Sequence, residues 1–455
     1  MIIKNILAFN RSIKLFKTYN CKYLDIHINK KLFFNYKKLK VSNKKFLLYK
    51  HNLFNFLISM NSNSLSNKEK YIGSFPDNII SNPLNICTSE DLNTVKEFIS
   101  FNLLNNNLKL AKGFKEDSKN INKAKQFLFV IITHSGAFHA DEVLGVCLVK
   151  YLPFVKNYVI VRSRNNEVWK LADIILDVGS EFIKEEMKYD HHMSDFKETF
   201  NNDYSVKLSA AGLIYKFHGK DIIKNILNIW QKCEQYCDDK TINQIYNHIY
   251  KTFIHYVDCI DNGVNQYPNV EDRVFINNTS YNNRISRLNP SILNSNDQSI
   301  QFLEALKVAN EEFLDVIKYL VYIYIPGYKY VLESYQKRFE FHKSGEVLYM
   351  DFGLSWKEHL NEIEKEYNND GKQNSIKFVI FKTEKEGYRV STVPITLGSF
   401  EFRKGIYSNW RGVDREQLKK ISELDDIVFV HRSGFIGGAL SIETAKKMVD
   451  VSLKE

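Results

Sequence analysis

His134 and His139 stand five residues apart in the stretch THSGAFHADE, with Asp141 and Glu142 beside them, directly after the apolar run FLFVII. A chain with only 12 histidines places two of them on one short loop. Imidazole nitrogens and carboxylate oxygens gathered this way suit a divalent metal, and a helix N-terminus next to them attracts anionic ligands. Asp177 closes a second apolar run, in ILDVG, and Asp190, His191 and His192 form a third group in YDHHMSDF. The fourth is HYVDCIDNG, where Asp258 and Asp261 lie three apart and so share a face of a helical segment. Either could complete a cluster while the other caps the turn; Asp258 is taken as the ligand. The sum is at least three carboxylates and three or four imidazoles, enough for two ions.

Residues so far apart in sequence act together only if a sheet collects them. The runs FLFVII, YVIVRSR and DIILDVG predict buried strands, and ADEVLGVCLVKYL predicts a helix between the first two. LSAAGLIYKFHG predicts a further helix, ended by Gly219. Alternating strands and helices imply a parallel sheet, and the polar groups fall at strand C-termini, where open α/β sheets bind ligands. This domain is expected over 126–298. A helical connector over 299–342 follows, with Pro326 and Gly327 breaking off its second helix. A smaller α/β domain is expected over 343–455, with a hairpin around Gly387 and then strand, glycine-rich turn and helix in DIVFVHRSGFIGGALSIETAKKMV.

The formal charge of +10 could suggest a nucleic-acid or membrane partner, but it belongs to the leader and says little about what the folded part binds, where a groove for RNA would have to be a local patch. Residues 1–60 hold 13 Lys+Arg against the single acid Asp25, leaving a net charge of −2 for 61–455. The leader resembles an organelle presequence, the alternative being a plain basic extension, and Met60 offers a second start without it. Residues 61–125, rich in Asn, Ser and Lys, read as a low-complexity linker. No run approaches the roughly 20 apolar residues of a membrane span. Six scattered cysteines, without a second close pair beside Cys233 and Cys237, imply reduced thiols rather than a zinc site.

Substrate grip calls for cationic or planar groups near the cluster. Arg162 and Arg164 follow a strand end, and an Arg fork matches a phosphate bidentately. In HRSGFIGGA, Gly434, Gly437 and Gly438 would let backbone N–H groups approach a phosphate, with His431 and Arg432 just upstream. Trp410 and Arg411 in NWRG could stack on a base, and core packing of Trp410 is the preferred reading.

Taken in order, THSGAFHADEVLG, DVGSEF, YDHHMSDF, KLSAAGLIYKFHG, DNGVNQY, SRLNP, WKEHL, WRG and SGFIGG resemble the Myg-type (melanocyte proliferating gene) exonuclease family, a branch of the DHH phosphoesterase superfamily. The resemblance runs from about residue 128 to the end. It implies a DHH-type parallel-sheet domain, a helical connector and a smaller C-terminal α/β domain that binds substrate. It also implies 3′-to-5′ exonuclease activity on RNA, two manganese or magnesium ions, and association with mitochondria and nucleus. The implied ligands are His134, His139, Asp141, Asp177, His191 and Asp258. His192 is then set against the scissile phosphate or a metal, with Asp190, His191 and His192 as the catalytic group. His139 stands where superfamily members commonly carry an aspartate, which lowers the negative charge of the site. A pyrophosphatase, a cyclic-dinucleotide or nanoRNA phosphodiesterase, and a non-catalytic metal- or RNA-binding regulator are the alternatives.

Overall fold

Unbroken apolar runs bounded by polar turns become strands buried on both faces, as a parallel sheet requires. In the computed structural model, seven strands form the first sheet: β1 (Asn85–Thr88), β2 (Lys109–Leu110), β3 (Phe127–Thr133), β4 (Asn157–Arg162), β5 (Ile174–Leu176), β6 (Phe182–Ile183) and β7 (Lys188–Tyr189). The described residues are 83, 85–112, 121–230, 233–267, 269, 276–291, 297–367, 376–385 and 387–455. All belong to one unit, Ser74–Glu455. The leader of residues 1–60 lies outside them, as does most of 61–84.

The strand order is β1-β4-β3-β5-β7-β6, with β2 against the start of β3, and every pairing is parallel except β6 with β7. Register brings the strand ends level: Thr133 pairs with Arg162, Arg162 with Thr88, and Leu176 with Tyr189. The residues that follow these ends therefore emerge together along one edge.

Behind the sheet, α2 (Ala140–Val149) is buried along its whole length. It can lie so deep because α3 (Ala210–Ile229) crosses it closely: a Cβ on Gly145 would sit 3.6 Å from Ala211 N. The helix predicted to stop at Gly219 continues through it to Ile229. Gly219 serves packing, since a Cβ there would meet the Tyr246 ring at 2.8 Å. Past α4 (Asp239–Ile249) and a π turn at Tyr250–Ile254, α5 (His255–Asp261) brings the DCID segment up to the sheet edge.

The reading of 61–125 as linker is corrected for 85–110. There α1 (Leu92–Asn106) covers the other face of the sheet, with Val95 and Ile99 packed against Leu128, Val130, Ile132, Val159 and Val161. Asp91 caps this helix by accepting from Thr94 N, and Asn107 ends it in the left-handed region at φ 52°. A high asparagine content had hidden a helical spacing of apolar residues.

The connector contains α6 (Gln298–Tyr319), a π turn at Leu320–Tyr324 and α7 (Ile325–Gln336). Pro326 falls in the first turn of α7, where the second helix was expected to break off, and its missing N–H is tolerated there. The second sheet holds β8 (Val347–Met350), β9 (Phe378–Lys382), β10 (Tyr388–Thr392), β11 (Ile427–Val430) and β12 (Ile436–Ala439), in the order β11-β12-β10-β9-β8. The expected hairpin around Gly387 joins β9 and β10. The protein is thus α/β, with a parallel-sheet core and a smaller second sheet. Trp410 is core, as read. Cys87, Cys147, Cys233 and Cys259 are free thiols.

If the segment before β2 is part of the fold, Val95→Ala will lower the unfolding free energy by about 2 kcal/mol in urea titration. A substitution in a solvated linker would leave it unchanged.

Candidate metal centre

Level strand ends do the gathering. His134 follows β3, Asp177 follows β5, and Asp190, His191 and His192 follow β7; these three strands are neighbours. His134 Nε2 lies 3.0 Å from Glu142 Oε1 and 3.4 Å from Asp177 Oδ2. His191 Nε2 lies 3.3 Å from Asp177 Oδ1 and 3.1 Å from Asp261 Oδ2. Three sets of possible ligands result: His134, His139, Glu142 and Asp177; Asp177, His191 and His192; Asp141, His191 and Asp261. Within each set the donor atoms lie within 4.8 Å of one another. Asp177 and His191 each belong to two sets, so the array is continuous.

Local structure aims each group. His139 is the N-cap of α2, and the Glu142 carboxylate returns to its backbone N–H at 2.8 and 2.9 Å, closing the first turn. That places Asp141 fully inside and leaves the His139 side chain 62% exposed. Asp177 adopts φ 57°, a conformation few non-glycine residues take, which turns its side chain off the strand. Asp190 accepts from the backbone N–H groups of Ser180, His191 and His192 and from His192 Nδ1 at 2.7 Å. It organises the loop and orients the His192 ring.

The motif loop between His134 and His139 is held from outside as well. Asn289, in SRLNP, accepts from Phe138 N at 2.8 Å and donates to Phe138 O at 2.7 Å. Gln298 Nε2 donates to Gly136 O at 2.7 Å. Arg162 donates to the same oxygen at 2.8 Å.

Electrostatics explains why such bracing is needed. Burial, then the charges of Asp177, Asp261 and Glu142, raise the Asp141 carboxyl well above its usual range. For Asp177, burial works in the same direction but His134 and His191 outweigh it, and the carboxyl is held well below its usual range. Burial opposes charge on His134, yet Asp177 and Glu142 push it up to about 10. Both oxygens of Asp141, Oδ1 of Asp177, Nε2 of His191 and Oδ2 of Asp261 are buried without a hydrogen-bond partner. Converging ligand atoms that no well-formed hydrogen bond satisfies are what a bound cation would satisfy, so these residues fit divalent metal.

Several expectations are corrected. Asp258 is not in the array: it is fully buried, accepts from Ser209 N, Ser209 Oγ and Tyr250 Oη, and fills the space beside Gly212. Asp261, one turn on, faces His191 instead, because the last turn of α5 reaches the sheet edge. Arg162 cannot grip a substrate, being fully buried with its guanidinium 4.6 Å from the Phe302 ring. Gly437 and Gly438 form no phosphate turn but lie within β12, paired on both sides. Their lack of a side chain makes room for Met448 and Phe429. Arg432 is exposed on the β11–β12 turn, and no hydrogen bond or ion pair among the described residues ties it to the array. Arg164 does reach the array: Nη2 is 3.2 Å from His134 Nδ1 and Nε donates to Ser135 O at 3.1 Å. Glu142 was missed as a possible ligand, and Asp261 was weighed but passed over. The first was quoted in HADE but hidden by the ligand pattern, and the second lost to its neighbour.

A parallel α/β sheet carrying a histidine–carboxylate array at its strand ends defines the class. A family model described as an uncharacterised protein family (UPF0160), MYG1 exonuclease, matches residues 130–453, and the chain belongs to this MYG1 exonuclease family. It is 37% identical over 328 residues to a MYG1 protein of Dictyostelium discoideum, covering 71% of this chain and 96% of that one. It is 35% identical over 331 residues to a MYG1 exonuclease of Rattus norvegicus, covering 71% and 84%. With a MYG1 exonuclease of Homo sapiens the identity is 33% over 331 residues, covering 71% and 85%.

Burial raises Asp258 to about 7 despite its three donors. A carboxyl whose folded pKa exceeds its unfolded one adds stability at low pH that is lost as pH rises through the folded value. In EDTA, the unfolding free energy of the wild type should therefore fall between about pH 4 and 7 relative to Asp258→Asn. The difference in slope should approach about 1.4 kcal/mol per pH unit in urea titrations.

Proposed function

We propose that this chain is a metal-dependent phosphodiesterase of the nuclease type, a 3′-to-5′ exonuclease acting on RNA with two manganese or magnesium ions. The observation that carries the proposal is the set of buried ligand atoms on Asp141, Asp177, His191 and Asp261 that converge without a well-formed hydrogen bond. His134, His139 and Glu142 on the other flank would complete the holding of the ions. Bound there, divalent ions would acidify water and neutralise the charge of a phosphoryl group.

The chain's own residues supply positioning and proton handling. Asp190 fixes His192 through Nδ1, and that hydrogen bond raises the imidazole's pKa and favours its protonated form. The His192 side chain is 61% exposed, so it can meet a phosphate oxygen or give a proton to the leaving group. Arg164 stands beside His134 to add positive charge at the rim. The names of the rat and human relatives carry the word exonuclease and support the reaction class. A body near neutral net charge fits a chain end or short oligonucleotide better than an extended duplex. The basic leader supports a mitochondrial form, and Met60 a shorter nuclear or cytoplasmic one.

With Mn2+, purified protein should shorten 3′-labelled RNA. Release of phosphate from pyrophosphate with RNA left intact would reverse the order of the two readings. Asp177→Ala and Asp261→Ala should each reduce turnover by at least 100-fold with the far-ultraviolet circular dichroism unchanged. Full activity in both would remove the array from the mechanism. A reporter joined to residues 1–60 should enter mitochondria, and a diffuse cytosolic signal would refute the address.

A further inference from the structure

Glu90 belongs to the segment first read as linker and precedes the residues matched by the family model. It lies just past β1, beside the ends of β4 and β3. Its Oε1 accepts from Ser135 Oγ at 2.5 Å, and its Oε2 accepts from Ser163 Oγ and from Arg164 N, each at 2.8 Å. Asn165 Nδ2 donates to the Glu90 backbone oxygen at 2.8 Å, and Ser89 N donates to Arg162 O. One carboxylate thus ties the loop after β3 to the loop after β4.

Both loops touch His134. Ser135 O lies 3.0 Å from His134 Nδ1, and Arg164, whose backbone N–H Glu90 holds, brings Nη2 to 3.2 Å from the same nitrogen. Only one of these contacts can be a hydrogen bond at a time. A proton on Nδ1 donates to Ser135 O and leaves the Nε2 lone pair facing Asp177 and Glu142; a bare Nδ1 accepts from Arg164 and gives Nε2 the proton. A metal-binding Nε2 requires the first tautomer. Glu90 holds Ser135 through its hydroxyl and Arg164 through its backbone N–H, and so sets the position of both groups that meet Nδ1.

We propose that Glu90 is a positioning residue for the metal centre, acting through Ser135 and Arg164 to hold His134 in its metal-binding tautomer and orientation. This rests on the function proposed above and adds that a segment ahead of the family-matched region tunes the site. Outer-shell partners of metal-binding histidines are worth about 10- to 100-fold in metal affinity. The test is calorimetric titration of the full chain with Mn2+. Glu90→Ala should weaken binding at least tenfold, and Glu90→Asp, which keeps the carboxylate, should recover part of that loss. Asp91→Ala is the control: it removes the α1 cap in the same segment without touching either loop, so it should lower the melting temperature and leave Mn2+ affinity within about threefold of wild type. Equal affinity in Glu90→Ala and wild type, or equal weakening by Glu90→Ala and Asp91→Ala, would overturn the positioning role while leaving the metal centre intact. Failure of the wild type to bind Mn2+ would overturn the proposed function itself.

Discussion

Crowding of carboxylates out of water is the constraint on which the rest of this structure depends. Asp141 and Asp261 converge where burial and neighbouring carboxylates oppose ionisation, Asp177 is kept ionised beside them by His134 and His191, and Glu142 adds a further negative group. No helix or sheet would place them there for stability alone. The arrangement persists because each carboxylate is attached to an element that is stable for other reasons. Asp141 rides on a helix buried on every side, Asp177 and Asp190 on neighbouring buried strands, and Asp261 on the end of a helix anchored by its buried neighbours Val257 and Asp258.

Parallel topology converts that constraint into a site. Because strands run the same way and pair in level register, their C-terminal turns leave the sheet at one edge, and distant sequence segments become neighbours. The loop from His134 to His139 then needs separate bracing, since it has no ladder of its own. Asn289 and Gln298 supply it through backbone contacts, and Arg162 through its guanidinium. The buried arginine thus exchanges the expected role of gripping substrate for one of holding the loop that bears two histidines. Such rigidity matters because ligands must be in place before an ion or a phosphate arrives.

Much of this was legible from residue types and spacing. Runs such as FLFVII and DIILDVG can be little other than buried strands, and polar residues at their ends stood out against the apolar background. His134, His139, Asp141, Asp177 and His191 were found that way, and the structure brings all five together. What misled was any feature with two physical explanations. Glycines in IGGA could open a turn or relieve crowding in a strand, and only Met448 and Phe429 show that crowding is the reason. Asparagine-rich composition in 85–106 suggested a linker, although Val95, Phe98, Ile99 and Leu103 already carried a helical period.

The sequence by itself determined the α/β class, the strands that carry the array and the kinds of donor atom present, because hydrophobic periodicity and side-chain chemistry are local properties. Tertiary structure alone decided between Asp258 and Asp261. Both lie on one short helix three residues apart, and local geometry treats them alike. They differ only in what packs against them: Ser209 and Tyr250 bind the first inside the fold, while the end of the helix delivers the second to His191. Which face of a helix meets which neighbour is set by packing across long sequence separations, and no spacing rule contains that information.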